Sequence, residues 1–557
     1  MKVFEAVAEQ LVAAGVGHVF GIMGDANMQL IADLHRRDVT YVAATHEANA
    51  VLMAEAFAKA GSTLGVVTVT HGPAITNTLT PLVEAVRNRT PLLLITGTTP
   101  QRIRHVQELD VAAAFQFTGA RLIRVRSAQS AAAETVTAMR TALIERVPTV
   151  LDIPFDVVGD EVDPAADGAV ANRVGGLLSL WLTERSGMPI ARPGVAHDED
   201  LEAAAAAIAA ARRIVVVAGA GAATPDARRE LVALADQVGG CLATTLKGRG
   251  TFAGHPYDLG VMGTVSTSIT SEVIANADCV VAFGASLNPF TTYGASFLEG
   301  KRVIQCDSDP LALSRNYPVD VALLGDSAET ARAVRGLLAE LDDRNATGMR
   351  TDELRERLAT HRPSDDFTAY EVPGAVDPRM AFMRINEIVP PARAVVTDAG
   401  WTSVTSWPYW EVPDARYFQP ATTWGCIGLG LGTAIGAAIA VPDNTTVLVV
   451  GDGAWAMSFA ELNTAVRLGL RILVVVCRDG GYGAEYVKLV NYGLDPALAQ
   501  IAWSDPVVVA RAMGASAHEI NSLADLADVE AEIKDLTGPM VLSLTVASDY
   551  LVNVGMS

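Results

Sequence analysis

One grammar recurs three times along the chain: a β-branched apolar run that halts at a glycine, then a stretch with helical spacing. The first block covers about residues 1–160 and holds HVFGI, TYVAA, LGVVTVT, PLLLITG and PTVLDIP. The second, about 200–340, holds RIVVVAGAG, DCVVAFGAS and KRVIQCDSD. The third, about 380–550, holds ARAVVTDAG, TTVLVVGDG, RILVVVCRDG and PMVLSLTVA. Strands alternating with helices of this length predict open parallel sheets covered on both faces. The expectation is an α/β protein of three such domains, at 1–160, 195–342 and 378–557. Residues 160–199 and 341–377, rich in Pro, Gly and acid, read as exposed connections. Ligands of such sheets gather at the carboxyl ends of the strands, so the residues just after each run are the candidates for chemistry.

Half of the 557 residues are hydrophobic and 19% are charged, the balance of a packed globular chain. Acidic side chains outnumber basic ones 63 to 42, a formal charge of −21. That argues against nucleic acid or anionic membrane as a partner bound by bulk attraction, although a local metal site can still hold an anion. The five cysteines (Cys241, Cys279, Cys306, Cys426, Cys477) have no C-x-x-C spacing and suit small core residues in a reducing cytoplasm. The opening MKVFEAVAEQLVAAGVGHVFGI carries Glu5 and Glu9 inside its apolar pattern, so it reads as a helix and a strand rather than a signal peptide. WGCIGLGLGTAIGAAIAV has about the length of a membrane span but is riddled with glycine, and close backbone packing inside an α/β domain is expected instead. A soluble, cytoplasmic protein is the expectation.

The central run of the third block ends in VVGDGAWAM. Alone, Asp452 between two glycines is a strand-to-helix turn whose carboxylate caps the helix. The next strand ends in RDGGYGAE, which places Asp479 27 residues after Asp452, about one helix and one parallel strand away. In a βαβ unit neighbouring strand ends lie side by side, so two carboxylates can converge. With a turn carbonyl they make a hard oxygen site suited to Mg²⁺, which in turn holds phosphate. This spacing resembles the signature of the thiamine-diphosphate-dependent enzymes, in which GDG is followed at this interval by an asparagine pair. The resemblance implies Asp452, Asp479 and the carbonyl of Gly481 as Mg²⁺ ligands, with Gly453 and Ala454 against the cofactor's diphosphate. The asparagine pair is here Arg478 and Asp479, which adds a negative charge beside that diphosphate.

Other motifs fall in the family's order, and the resemblance covers essentially the whole chain. In THEANAVLMAEAFAKA, Glu47 opens a helix, where an acid is favoured by the dipole whatever its role. The resemblance implies more: a carboxyl in an apolar pocket that hydrogen-bonds the pyrimidine N1′ and so promotes loss of the thiazolium C2 proton. WGCIGLGLG resembles the segment that bends the cofactor, with the Gly425 carbonyl on the 4′-amino group and Ile427 as the wedge between the rings. TDAGWTS resembles the loop over the diphosphate and makes Gly400 and Trp401 cofactor contacts. The three blocks would be the pyrimidine-binding, central and diphosphate-binding domains. The resemblance further implies a homodimer, commonly paired into a homotetramer, with active sites at the subunit interface.

On the substrate side FGIMGDANMQLI resembles the GD-x-N segment of pyruvate and indolepyruvate decarboxylases, which makes Asp25 a candidate acid/base. GYGAE resembles their GY-x-x-E and would put Glu485 near the reacting carbonyl. Their first-domain His-His pair is absent as a sequence motif. Only His105 stands there, in RIRHVQELD, a segment more similar to the FQE region of acetolactate-synthase-type enzymes, with Gln107 as the match. VTVTHGPAITN matches the family's TSGPGATN with His71 in place of serine, either a proton relay or a hydrogen-bonded spacer. His46, beside Glu47, reads as structural. The RFDDR of the FAD-binding members is here SLNPFTT, which argues against FAD, and AGAGAA lacks the full G-x-G-x-x-G of a dinucleotide site. The expected activity is thiamine-diphosphate- and Mg²⁺-dependent decarboxylation of a 2-oxo acid, followed by release of an aldehyde or ligation to a second carbonyl. An acetolactate-synthase-type carboligase is the alternative. A cofactor-binding structural or regulatory subunit without catalysis is the rival of another class.

Overall fold

The computed structural model describes residues 1–100, 104–162, 194–341 and 348–546. Among these residues the strands form three parallel sheets of six. The first contains β1 (His18–Gly21), β2 (Thr40–Ala43), β3 (Gly65–Thr68), β4 (Leu92–Thr96), β5 (Arg121–Arg124) and β6 (Thr149–Asp152), in the order β2-β1-β3-β4-β6-β5. The middle sheet contains β7 (Ile214–Ala218), β8 (Cys241–Thr244), β9 (Asp258–Val261), β10 (Cys279–Phe283), β11 (Arg302–Asp307) and β12 (Val321–Leu324), in the order β12-β11-β10-β7-β8-β9. The third contains β13 (Arg393–Asp398), β14 (Phe418–Ala421), β15 (Thr445–Gly451), β16 (Ile472–Arg478), β17 (Ser516–Ile520) and β18 (Met540–Thr545), in the order β14-β13-β15-β16-β18-β17. The first and third sheets therefore share one topology, and the middle sheet has the doubly wound order 3-2-1-4-5-6.

The expected α/β architecture of open parallel sheets is what the chain adopts. Every apolar run read from the sequence is a strand, and the interior strands are buried throughout, as β4, β7, β10 and β13 show. Each face of the middle sheet has its own apolar cluster. The cluster over one face of the first sheet is continuous with that over one face of the third. The seam is the pair of helices Glu47–Gly61 and Gly430–Ala440. A Cβ on Gly432 would lie 2.9 Å from Asn49 Oδ1 and 3.1 Å from Leu52 Cβ, and one on Gly436 would overlap the Met53 carbonyl. The glycine-rich run thus serves close backbone packing, but between the first and third sheets rather than within one domain. No helix among the described residues is long and apolar enough to cross a membrane.

Of the expected connection at 160–199, residues 163–193 lie outside the described residues, and a helix has begun at Asp198. Of the stretch 341–377, also expected as a connection, residues 342–347 lie outside the described residues, and part of the remainder is structured. Asp352–Thr360 is a helix capped by the Thr351 hydroxyl; Leu354 docks in an apolar cluster of the middle sheet and Arg357 pairs with Glu272 at 2.6 Å. Its many charges hid one apolar anchor. In AGAGAA, a Cβ on Gly219 would overlap the Gly284 carbonyl, so that glycine serves a close approach of two loops.

Candidate active site

β15 and β16 pair in parallel register up to Gly451 opposite Cys477, which brings the residues that follow, Asp452 and Asp479, to one end of the sheet. Asp452 is 2% exposed. Its Oδ1 accepts from Gly453 N at 2.8 Å and its Oδ2 from Gly480 N at 2.9 Å, so one carboxylate fixes both glycine turns. Asp479 Oδ1 accepts from Gly481 N at 3.3 Å. Burial pushes Asp452 up to about 6 and Asp479 up to about 7, the latter also through repulsion by Asp452. Arg478, next in the chain, turns its guanidinium to Thr545 Oγ1 at 2.9 Å. A buried and a half-buried carboxylate repelling each other beside a cradle of glycines is an arrangement that a divalent cation completes, so the donor set fits Mg²⁺. Gly453 and Ala454 are buried in the first turn after Asp452.

Gly400 and Trp401 begin the short helix Trp401–Thr405 just after β13, with Gly400 at φ 124°. The Trp401 indole N–H is buried without an acceptor among the described residues. The loop carrying Gly425 and Ile427 is organised by a residue not anticipated from sequence. Asp398, the last residue of β13, accepts from Gly428 N at 3.0 Å and Gly430 N at 2.6 Å, and its burial raises its pKa to about 7. Gly425 takes φ 80°, and Ile427 is partly buried against the shared apolar cluster.

Glu47 is the first residue of its helix, as expected, and its Oε2 accepts from Asn77 Nδ2 at 2.9 Å. His46 caps the helix, its Nδ1 accepting from Ala48 N at 3.1 Å. A single chain leaves Glu47 half-buried rather than sealed in the expected apolar pocket. Two buried carboxylates fix the loops before the paired helices reciprocally. Glu461 of the third block accepts from Thr45 N at 3.0 Å, Thr45 Oγ1 at 2.6 Å and Asn49 Nδ2 at 2.8 Å. Glu84 of the first block accepts from Thr423 N at 2.9 Å and Trp424 N at 2.5 Å. The segments leading to Glu47 and to Gly425 are thereby held by each other's domain.

The remaining first-block candidates gather at the carboxyl end of the first sheet. His71 is 3% exposed, with its ring 5.4 Å from that of His105 and its Nδ1 without a partner among the described residues. Burial, and then the neighbouring His105, lower its pKa; Asp25 and the Gln107 side chain act in the opposite sense. Gln107 lies so close to Gly72 (φ 67°) that a Cβ there would be 2.6 Å from Gln107 Cβ. A pair of histidines therefore exists in space although no sequence motif carries it. Glu485, in contrast, is exposed in the first turn of the helix Gly483–Asn491 and pairs with Lys488 at 3.5 Å, apart from this cluster's contacts.

Family models for the thiamine pyrophosphate enzymes match the chain in three parts: the N-terminal cofactor-binding domain at residues 1–117, the central domain at 201–334 and the C-terminal cofactor-binding domain at 398–544. The chain belongs to the thiamine pyrophosphate enzymes. This thiamine pyrophosphate enzyme is 28% identical to the sulfoacetaldehyde acetyltransferase of Castellaniella defragrans, over 94% of this chain and 88% of that one. It is 26% identical to the acetolactate synthase isozyme 3 large subunit of Escherichia coli, over 85% and 81%, and 26% identical to the acetolactate synthase of Arthrospira platensis, over 86% and 82%. Thiamine-diphosphate-dependent catalysis on small molecules is the family's common property.

Proposed function

We propose that this enzyme holds thiamine diphosphate through Mg²⁺ bound by Asp452, Asp479 and the Gly481 carbonyl, and decarboxylates a 2-oxo acid. The remaining acyl unit goes to a proton, giving an aldehyde, or to a second carbonyl. The observation that carries the reading is the pair of aspartates at adjacent strand ends, Asp452 buried and Asp479 half-buried, set among glycines. When bound, the cofactor supplies the nucleophilic carbon and electron sink that loss of CO₂ requires. Glu47 would hold a proton at the pyrimidine, the Gly425 carbonyl and Ile427 would set its pose, and Gly400, Trp401, Gly453 and Ala454 would flank the diphosphate.

His71, kept neutral by burial, is suited to accept a proton, with His105, Asp25 and Gln107 beside it to relay and orient. Glu485 belongs to the same chemistry only if another copy of the chain faces it, since within one chain it turns to Lys488. We therefore propose a homodimer, or a pair of homodimers, with the first block of one copy facing the third block of another. The acetolactate synthases among the relatives support ligation as the physiological outcome, the acetyltransferase supports acetyl transfer, and the histidine cluster supports protonation.

The test supplies purified protein with thiamine diphosphate, Mg²⁺ and a panel of 2-oxo acids, with and without an acceptor aldehyde, and follows CO₂ and products. CO₂ release that needs both additions, and that Glu47→Gln abolishes, is expected. Cofactor binding without turnover of any 2-oxo acid would favour a non-catalytic subunit.

A further inference from the structure

The loop after Asp479 is tied to a segment far beyond it. Tyr482 N donates to Ala499 O at 2.9 Å, Ile501 N donates to Gly480 O at 2.8 Å, and Gly481 forms an antiparallel bridge with Gln500. A Cβ on Gly481 would overlap the Ala499 carbonyl, so the second glycine of DGG admits this segment. The tie delivers Trp503 to the turn that follows Asp452. A Cβ on Gly453 would lie 3.4 Å from Trp503 Cζ2 and 2.9 Å from Tyr482 Cε1, and the two rings meet edge to face at 5.5 Å. Cζ2 is two bonds from Nε1, and the Trp503 Nε1–H is buried with no acceptor among the described residues. A buried donor of this kind is destabilising unless something accepts from it.

What accepts must present anionic oxygen beside Gly453 while tolerating two aspartates, and metal-bound phosphate oxygen does both. We propose that Trp503 is a diphosphate-binding residue, its indole N–H donating to a phosphate oxygen of the cofactor held at Asp452 and Asp479. A neutral donor in a fixed place adds no charge and partly offsets the carboxylate that Asp479 contributes. The proposal rests on the thiamine diphosphate reading of the site.

Calorimetric titration of thiamine diphosphate in Mg²⁺ buffer tests it, alongside the melting temperature of the cofactor-free protein. Trp503→Phe should weaken binding about ten- to a hundredfold, the range for a hydrogen bond to a charged acceptor, while leaving the cofactor-free melting temperature unchanged or higher. Trp503→His, which keeps a ring N–H, should recover most of the affinity and provides the comparison if the Phe variant misfolds. Wild-type protein that fails to bind thiamine diphosphate would remove the site reading itself. Wild-type binding matched by both variants would overturn the Trp503 assignment alone. A lowered cofactor-free melting temperature in the variants, with affinity lost equally in Phe and His, would overturn it in favour of packing.

Discussion

Asp452 and Asp479 are not equivalent, although both are carboxylates at one sheet end: the first is buried and the second half-buried. Asp452 spends one oxygen on Gly453 N and the other on Gly480 N, so its removal frees two turns at once. Asp479 ties down one glycine turn, through Gly481 N, and is repelled by its neighbour. Asp452→Ala should therefore abolish retention of thiamine diphosphate, whereas Asp479→Asn should keep it, because the amide retains an oxygen ligand and drops one buried charge. Calorimetry in Mg²⁺ buffer separates the two; tight binding by Asp452→Ala would remove the metal assignment. These residues were legible in the sequence because the chemistry needs a carboxylate between glycines, and that combination is local. Asp398, Glu84, Glu461 and Trp503 left no such trace. Their partners lie up to 416 residues away, as Glu461 and Thr45 do, and only the folded chain brings them together. The His71–His105 pair was missed for the same reason: its members sit on separate loops.

Among the elements, legibility followed burial. The twelve runs read from the sequence are strands, and the six strands it did not signal are β5, β8, β9, β12, β14 and β17. All but β8 lie at sheet edges, where one side lacks a strand neighbour and the sequence can admit Arg121, Pro420 or His518. Glycine in helices shows the converse, since its meaning depends on what lies opposite. Gly436 faces the Met53 backbone at the crossing of the Glu47 and Gly430 helices, whereas Gly336, in the helix Ser327–Glu340, would place a Cβ in open space. Gly436→Ala should force the two helices apart and lower the melting temperature by several degrees. Gly336→Ala should stabilise by roughly 0.5–1 kcal/mol through the unfolded chain's lost freedom. Thermal unfolding of the two variants checks this; equal effects would mean that the helix crossing does not limit stability.

For the whole molecule, the three sheets are locked by a junction centred on Lys247 of the central block. Its Nζ donates to Asn88 Oδ1 at 2.7 Å and to Thr423 Oγ1 at 2.5 Å, while the Asn88 amide donates to Glu55 at 2.7 Å and Glu84 at 3.1 Å. Every block contributes, and Glu84 holds the segment leading to Gly425 from the same junction. Burial foremost, and then the charge of Lys59, lower Lys247 to about 8 against the upward pull of Glu84 and Glu55. Burial also pushes Glu55 up. The folded chain thus releases the Lys247 proton near pH 8, whereas the unfolded chain keeps it to about 10.4. Between those values the unfolded state binds more protons, so this group's contribution to stability rises with pH, by up to about 3 kcal/mol across the window. Lys247→Met abolishes the titration. The difference in melting temperature between wild type and Lys247→Met should climb in favour of wild type from pH 8 to 10, with titrations elsewhere cancelling in the comparison. A difference that stays flat would mean that the ammonium is not desolvated at the junction. One that falls would mean that Glu84 and Glu55 together hold Lys247 charged more firmly than water does, and the three blocks would then be joined by an ion-pair network rather than by a buried amine with neutral partners.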